Sequence, residues 1–333
     1  MTRHFHLRVN SLGLLTLALC HFLPGLAVAQ TAASGPAPAI VGQSCSVQGL
    51  MDQIRRGMGS KSEAYKRYMK MLLRESAVTL PDAELRAAFD RETDPVMAEH
   101  LAAALVARTE RGADPNAMQA VAKRALEERD PAVRAATVRA MRRTSATEST
   151  GDLYERLVRD PSPEVRMEAA TNLVEDNQFV YSGQHGPAAD TAVAAAVASN
   201  DPQVTSKILG NISTEKISAT SASQIKSLLR SDDAGIRRAA ATALGGVPAE
   251  QMASARESLL AMYGGEKDAG VRKALLQSIA QLGFSGAVPE LQKLRSVDPS
   301  LAPEVDAWIQ VLKMGFQEWN VILREKQRLQ PAP

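Results

Sequence analysis

Four arginines stand at matching points of a recurring phrase: Arg134, Arg166, Arg237 and Arg272. Each follows an aspartate of the same phrase, at Asp130, Asp160, Asp233 and Asp268. A row of guanidinium groups can hold an anionic ligand, because each presents its donors in a fixed fork. It can equally brace a structure, and its return in unit after unit fits stacking better than a single site. Metal and redox chemistry has little to work with. Beyond residue 29 the only imidazoles are His100 and His185 and the only thiol is Cys45, in no ligand spacing. Glu99-His100 reads as a pair on an exposed helix surface. The paired acids Glu127-Glu128 and Asp232-Asp233 fall at helix ends or turns, where capping accounts for them. No glycine-rich phosphate loop or nucleophile elbow is present. Gly245-Gly246 and Gly264-Gly265 follow helical patterns and read as stops. The chain therefore reads as a non-enzyme with no catalytic residue, no metal and no cofactor.

Two places concentrate side chains that could meet a partner. The first is a long connection at 176–187, which gathers Phe179, Tyr181 and His185 between otherwise short turns. Insertions of this kind meet partners in repeat arrays, or plug a stagger between repeats. The second is a C-terminal helical pattern, Trp308, Ile309, Leu312, Phe316, Trp319 and Leu323, which holds both tryptophans of the chain. It suits an aromatic anchor for a partner, or a cap that seals the end of a stack.

The elements behind these residues repeat. The phrase reads Asp130-Pro131-Ala132-Val133-Arg134-Ala135-Ala136, with an insertion at 160–170, and returns at 233–240 and 268–274. Weaker copies without the arginine start at Asp94, Asp201 and Asp298. Aspartate caps a helix by accepting its free amides, and proline at the first helical position wastes none. The expected helix pairs are 82–91 with 95–109, 115–129 with 131–143, 151–159 with 163–175, and 187–199 with 202–212. They continue as 221–230 with 233–245, 249–263 with 268–282, and 286–295 with 299–314. Met97, Val133, Val165, Val204, Ile236, Val271 and Val305 align across the second helices at steps of 32 to 39 residues. Alanine pairs and triplets at 102–104, 135–136, 169–170 and 239–241 let neighbouring helices approach closely and favour helix. No alternating strand pattern of useful length is found. Ahead of the repeats, 44–80 reads as an N-terminal helical cap, with Tyr65, Tyr68, Met69 and Leu72 as its apolar stripe.

Residues 1–29 have the layout of a secretory signal peptide. Arg3 and Arg8 precede an apolar run, and Ala27-Val28-Ala29 supplies the small residues before a cut after Ala29. Leu19 before Cys20 is a poor match to a lipoprotein signal. No second apolar run of spanning length follows. Residues 30–43 read as a flexible leader. The signal carries two arginines and no acid, so the remaining chain balances its charges, which argues against nucleic acid as the main ligand. One remaining cysteine excludes an internal disulfide, leaving packing to hold the fold.

The Asp-x-x-(Val/Ile)-Arg-x-Ala-Ala phrases at 130–136 and 233–240, with related forms at 160–170 and 268–274, resemble those of HEAT-repeat proteins, in the bacterial class once labelled phycobilisome-lyase-like. The resemblance covers roughly 81–315. It implies an all-α solenoid of about seven helix pairs with capping helices at both ends, the C-terminal helix and tail occupying 316–333. It also implies a structural ladder in which Asp130, Arg134, Asp160, Arg166, Arg237 and Arg272 bond within and between repeats. Some enzymes of this fold carry His-Glu dyads for a di-iron centre, and this chain lacks them. The expected function is a periplasmic or secreted scaffold that binds a protein along the concave face of its second helices. The alternatives are an enzyme in that groove or a binder of glycan or peptidoglycan, for which exposed rings at 179 and 181 would be the sign.

Overall fold

The computed structural model describes residues 47–77, 81–114, 116–145 and 150–329, all within one compact unit, Ser44–Pro333. The expected signal peptide and leader, and Cys45, lie outside the described residues. Among the described residues every regular element is helical. The first helices of successive pairs are α1 (Val47–Met58), α3 (Asp82–Arg91), α5 (Ala117–Glu127), α7 (Leu153–Leu157), α9 (Gly186–Ala198), α11 (Ala219–Leu228), α13 (Ala249–Tyr263) and α15 (Val288–Val297). The second helices are α2 (Glu63–Ala77), α4 (Pro95–Glu110), α6 (Pro131–Ala140), α8 (Pro163–Glu175), α10 (Pro202–Leu209), α12 (Ala234–Leu244), α14 (Ala269–Gly283) and α16 (Ala302–Lys313), with α17 (Trp319–Leu329) closing the chain.

The helices form two layers. Second helices pack in unbroken order from α2 through α4, α6, α8, α10, α12 and α14 to α16. First helices pack on one another less extensively, and each packs on its own second helix. Contacts thus run between neighbouring pairs, as a solenoid requires. The 44–80 region is itself such a pair: α1 packs on α3 and α2 on α4. On α2 the apolar stripe is rotated from expectation. Met69 and Leu73 are buried, whereas Tyr65 and Tyr68 are exposed and stack on each other at 6.4 Å.

One continuous apolar core runs from Met51 to Ile322. Five of the aligned positions, Met97, Val165, Val204, Val271 and Val305, are buried in it; Val133 is buried too, and Ile236 is half-buried. Ala102, Ala104, Ala135, Ala136, Ala169, Ala170, Ala240 and Ala241 are buried between helices, where a bare methyl permits close approach. The turns start the second helices chemically. Asp94 accepts the Met97 amide at 2.9 Å, Asp130 that of Ala132 at 2.9 Å, and Asp201 that of Gln203 at 3.0 Å. Asp233 accepts from Ile236 at 2.8 Å and Asp268 from Val271 at 2.9 Å. At Asp160 the two-residue insertion moves the cap to Ser162, and at Asp298 a 3₁₀ turn, Pro299–Leu301, precedes the helix.

Three local expectations change. The helix expected over 151–159 is regular only at Leu153–Leu157. The C-terminal pattern is two helices: α16 stops, Gly315 takes a left-handed φ of +77°, and α17 starts at Trp319. The connection expected at 176–187 is largely helical, because α8 continues as a π-helical turn, Asp176–Val180. Ser182 and Gly183, both at positive φ, then reverse the chain into α9.

Candidate partner-binding face

The arginines reach forward by one repeat. Arg134 donates from Nε and Nη2 to the two carboxylate oxygens of Asp160, both at 2.8 Å, and from Nη1 to the Glu128 and Arg129 carbonyls of its own turn. Arg166 donates from Nε and Nη2 to a single oxygen, Oδ2 of Asp201, at 3.0 and 2.7 Å, and from Nη1 to the carbonyls of Asp160 and Pro161. Arg237 makes the same grip on the carbonyls of Ser231 and Asp232, but its carboxylate is Glu266, at 2.7 and 3.0 Å, two residues before the capping Asp268. Hydrogen bonds from Arg237 hold the Glu266 carboxyl below its usual value against the opposing effect of burial. Arg272 reaches Asp298 at 2.5 Å, which Tyr263 Oη also approaches at 2.9 Å. The fork donors of Arg134, Arg166 and Arg237 are engaged inside the fold, so these three offer an anionic ligand little, whereas Arg272 bonds through Nη1 and its buried Nε has no hydrogen-bond partner. Asp130 caps α6, and the preceding repeat carries Ala98 where the arginine would stand.

A second device accompanies most of these turns and went unread in the sequence. A side-chain acceptor two residues before the cap takes the cap's own amide. The pairs are Glu92 with Asp94, Glu128 with Asp130, Asp160 with Ser162, Ser199 with Asp201, Ser231 with Asp233, and Glu266 with Asp268. The acceptor-x-cap spacing was visible. It explains why Arg134 and Arg237 find their carboxylate at that earlier position, because it faces the preceding repeat.

The second-helix layer carries a groove of about 640 Å3 across α2, α4 and α6. Ala103, Val106, Ala107 and Ala140 give it small apolar walls, with Met71 of α2, 55% exposed, on its edge. Its charged sides are laced together. Arg139 pairs with Glu99 at 3.0 Å and Glu168 at 2.9 Å, Arg142 pairs with Glu168, and Arg143 pairs with Glu175 at 2.7 Å. Thr144 donates to Glu110 at 2.5 Å. His100 is a half-buried groove residue rather than half of an exposed pair, and burial lowers its pKa. Among the described residues no group of His, Cys, Asp and Glu is arranged to hold a metal.

The side chains of the 176–187 segment part company. Phe179 is 61% exposed, with the Arg143 guanidinium 4.6 Å over one face of its ring. Tyr181 and His185 stack on each other at 4.5 Å, half-buried, away from any shared aromatic platform with Phe179. Asp176, which sequence reasoning passed over, is buried beneath them. At the C-terminal end Trp308 is buried, and Trp319 stacks on it at 5.6 Å with rings 3° from parallel. Phe284 meets Trp319 edge-on, and the Lys326 ammonium lies 4.8 Å from the centre of the Trp308 ring. The tryptophans thus seal the last repeat. Phe316 lies in the break between α16 and α17 and stays partly exposed.

No described helix is long and apolar enough to cross a membrane. No family model matches the chain, and no curated protein does. Solved structures do. The Escherichia coli protein YibA is 13% identical, over 84% of this chain and 92% of that one, with a TM-score of 0.43. Human deoxyhypusine hydroxylase, solved in complex with glycerol, is 17% identical over 84% and 96%, at 0.28. Kap121p is 13% identical over 85% of this chain and 39% of its own, at 0.39. Such likeness concerns fold alone. In the order and stacking of its own helices, this chain is an all-α, HEAT-like solenoid.

Proposed function

We propose that this chain is an exported, non-catalytic scaffold that holds a protein partner on the face of its second helices. The groove across α2, α4 and α6 carries the reading: small residues allow a partner helix or loop to approach the backbone, and fixed charges on both sides set its register. The layout of residues 1–29 supports export to the periplasm or beyond, and the Asp-x-x-(Val/Ile)-Arg phrases support the bacterial HEAT class that they resemble. A second reading, an envelope glycan as ligand, is favoured by the exposed ring of Phe179, since sugar faces pack on rings.

The test is capture from an envelope extract by wild type, Ala103→Arg and Met252→Arg. Ala103 lines the groove, whereas Met252 is exposed on α13 in the other layer. The expected result is one stoichiometric protein held by wild type and by Met252→Arg and lost with Ala103→Arg, all three variants having matching melting curves. Capture that survives Ala103→Arg, or retention of glycan alone and its loss with Phe179→Ala, defeats this reading.

A further inference from the structure

Asp176 is the buried acid that neither the ladder nor the caps use. It is 5% exposed, at the start of the π-helical turn. Its carboxylate accepts the backbone amides of Arg143 and Thr144, which end the preceding repeat and line the second-helix groove. Its Oδ1 has no partner. Asp176 lines a cavity of about 40 Å3 with Gly151, Tyr154, Leu173, Tyr181 and Thr191, room for little more than one water. Arg143 itself sits at a positive φ of +59°, a strained backbone for a non-glycine residue. Its side chain covers Phe179 and pairs with Glu175.

We propose that this junction of α6, α7, α8 and α9 is a proton-sensitive joint, in which loss of the Asp176 proton drives the segment 176–185 to open toward water and frees the Arg143–Thr144 wall of the groove. The physical reason is that an ionised carboxylate buried with one oxygen unpartnered must find solvent. On its own helix Glu175 opposes ionisation, and from the end of α6 Arg142 and the two amides favour it. From α7 comes Tyr154, itself kept neutral by burial, and from the α9 side the stacked Tyr181 and His185. Burial outweighs the rest and lifts the carboxyl from 3.8 to about 7. The packed junction therefore keeps a proton that the open chain gives up, so its closure weakens as pH rises from about 4 to about 7 and then levels off.

The closed-to-open equilibrium is read by hydrogen exchange of the 176–185 amides in the full chain, corrected for the intrinsic pH dependence, at pH 5 and pH 8. Opening is expected to rise on the order of 100-fold in wild type, to stay flat in Asp176→Asn, and to rise as in wild type in His185→Gln. Equal protection at both pH values, or a rise that persists in Asp176→Asn, overturns the joint. Should Asp176→Asn not fold, the carboxyl carbon of Asp176 is titrated by NMR in wild type: a midpoint near 7 is expected, and one below 5 overturns the joint. The consequence for the groove rests on the partner-binding reading. Exchange is measured without a partner, so loss of that reading leaves this outcome intact, and the reverse.

Discussion

Arg134→Ala should be among the more damaging single substitutions in this chain. The Arg134 and Asp160 side chains keep only 10% and 7% of their surface exposed and share two 2.8 Å bonds. Truncation leaves Asp160 with the Ser162 amide as its remaining local donor and frees the carbonyls of Glu128 and Arg129. Breaking a buried pair by removing one partner costs roughly 3–5 kcal/mol. The turn can relax toward water, which places the expected cost near the lower end, about 3 kcal/mol. For a chain of this size that lowers Tm by about 6 °C. Urea unfolding followed by far-UV circular dichroism, on Arg134→Ala, Asp160→Ala and the double variant, gives the pairwise coupling, expected at about 2 kcal/mol. The control is Arg295→Ala, because Arg295 pairs with Asp306 in the open, each about half exposed, and its loss should leave the midpoint where it was. A coupling under about 0.5 kcal/mol, or an equal effect at Arg295, would refute the view that forward-reaching arginines lock successive repeats.

Two further outcomes follow from the same geometry. Because Glu266 titrates below its usual value in the folded chain, its contribution is present above about pH 4.5 and is lost as pH falls through the lowered folded value. Glu266→Gln should therefore be less stable than wild type at pH 7 and converge on it under acid, read as melting temperature against pH; a constant gap across the range contradicts this. Gly315→Ala should cost about 1 kcal/mol through its left-handed φ alone, since a Cβ there meets nothing within 4 Å. Tryptophan emission reporting on the Trp308–Trp319 stack would monitor the melt, and an unchanged midpoint would mean that the break between α16 and α17 needs no glycine.

The amino-acid sequence by itself determined the helix pairs, their order and most of their starts. Asp94, Asp130, Asp201, Asp233 and Asp268 cap helices by bonding amides two or three residues away, an interaction that needs no distant partner. The buried alignment from Met97 to Val305 was legible for the same reason, since helical periodicity is local. Tertiary structure alone decided where each arginine fork lands, 26 to 35 residues on, and that Glu266 rather than Asp268 receives one. It also decided which face of α2 turns inward, hiding Met69 and exposing Tyr65 and Tyr68, because that depends on where α1 and α4 press. Trp308 and Phe316 fall on one helical stripe in the sequence, yet a left-handed Gly315 breaks the helix before Phe316. Asp176 shows the limit most plainly: its type and spacing resemble those of any surface acid, and only the crowding of four helices around it withholds the water that would ordinarily keep it charged.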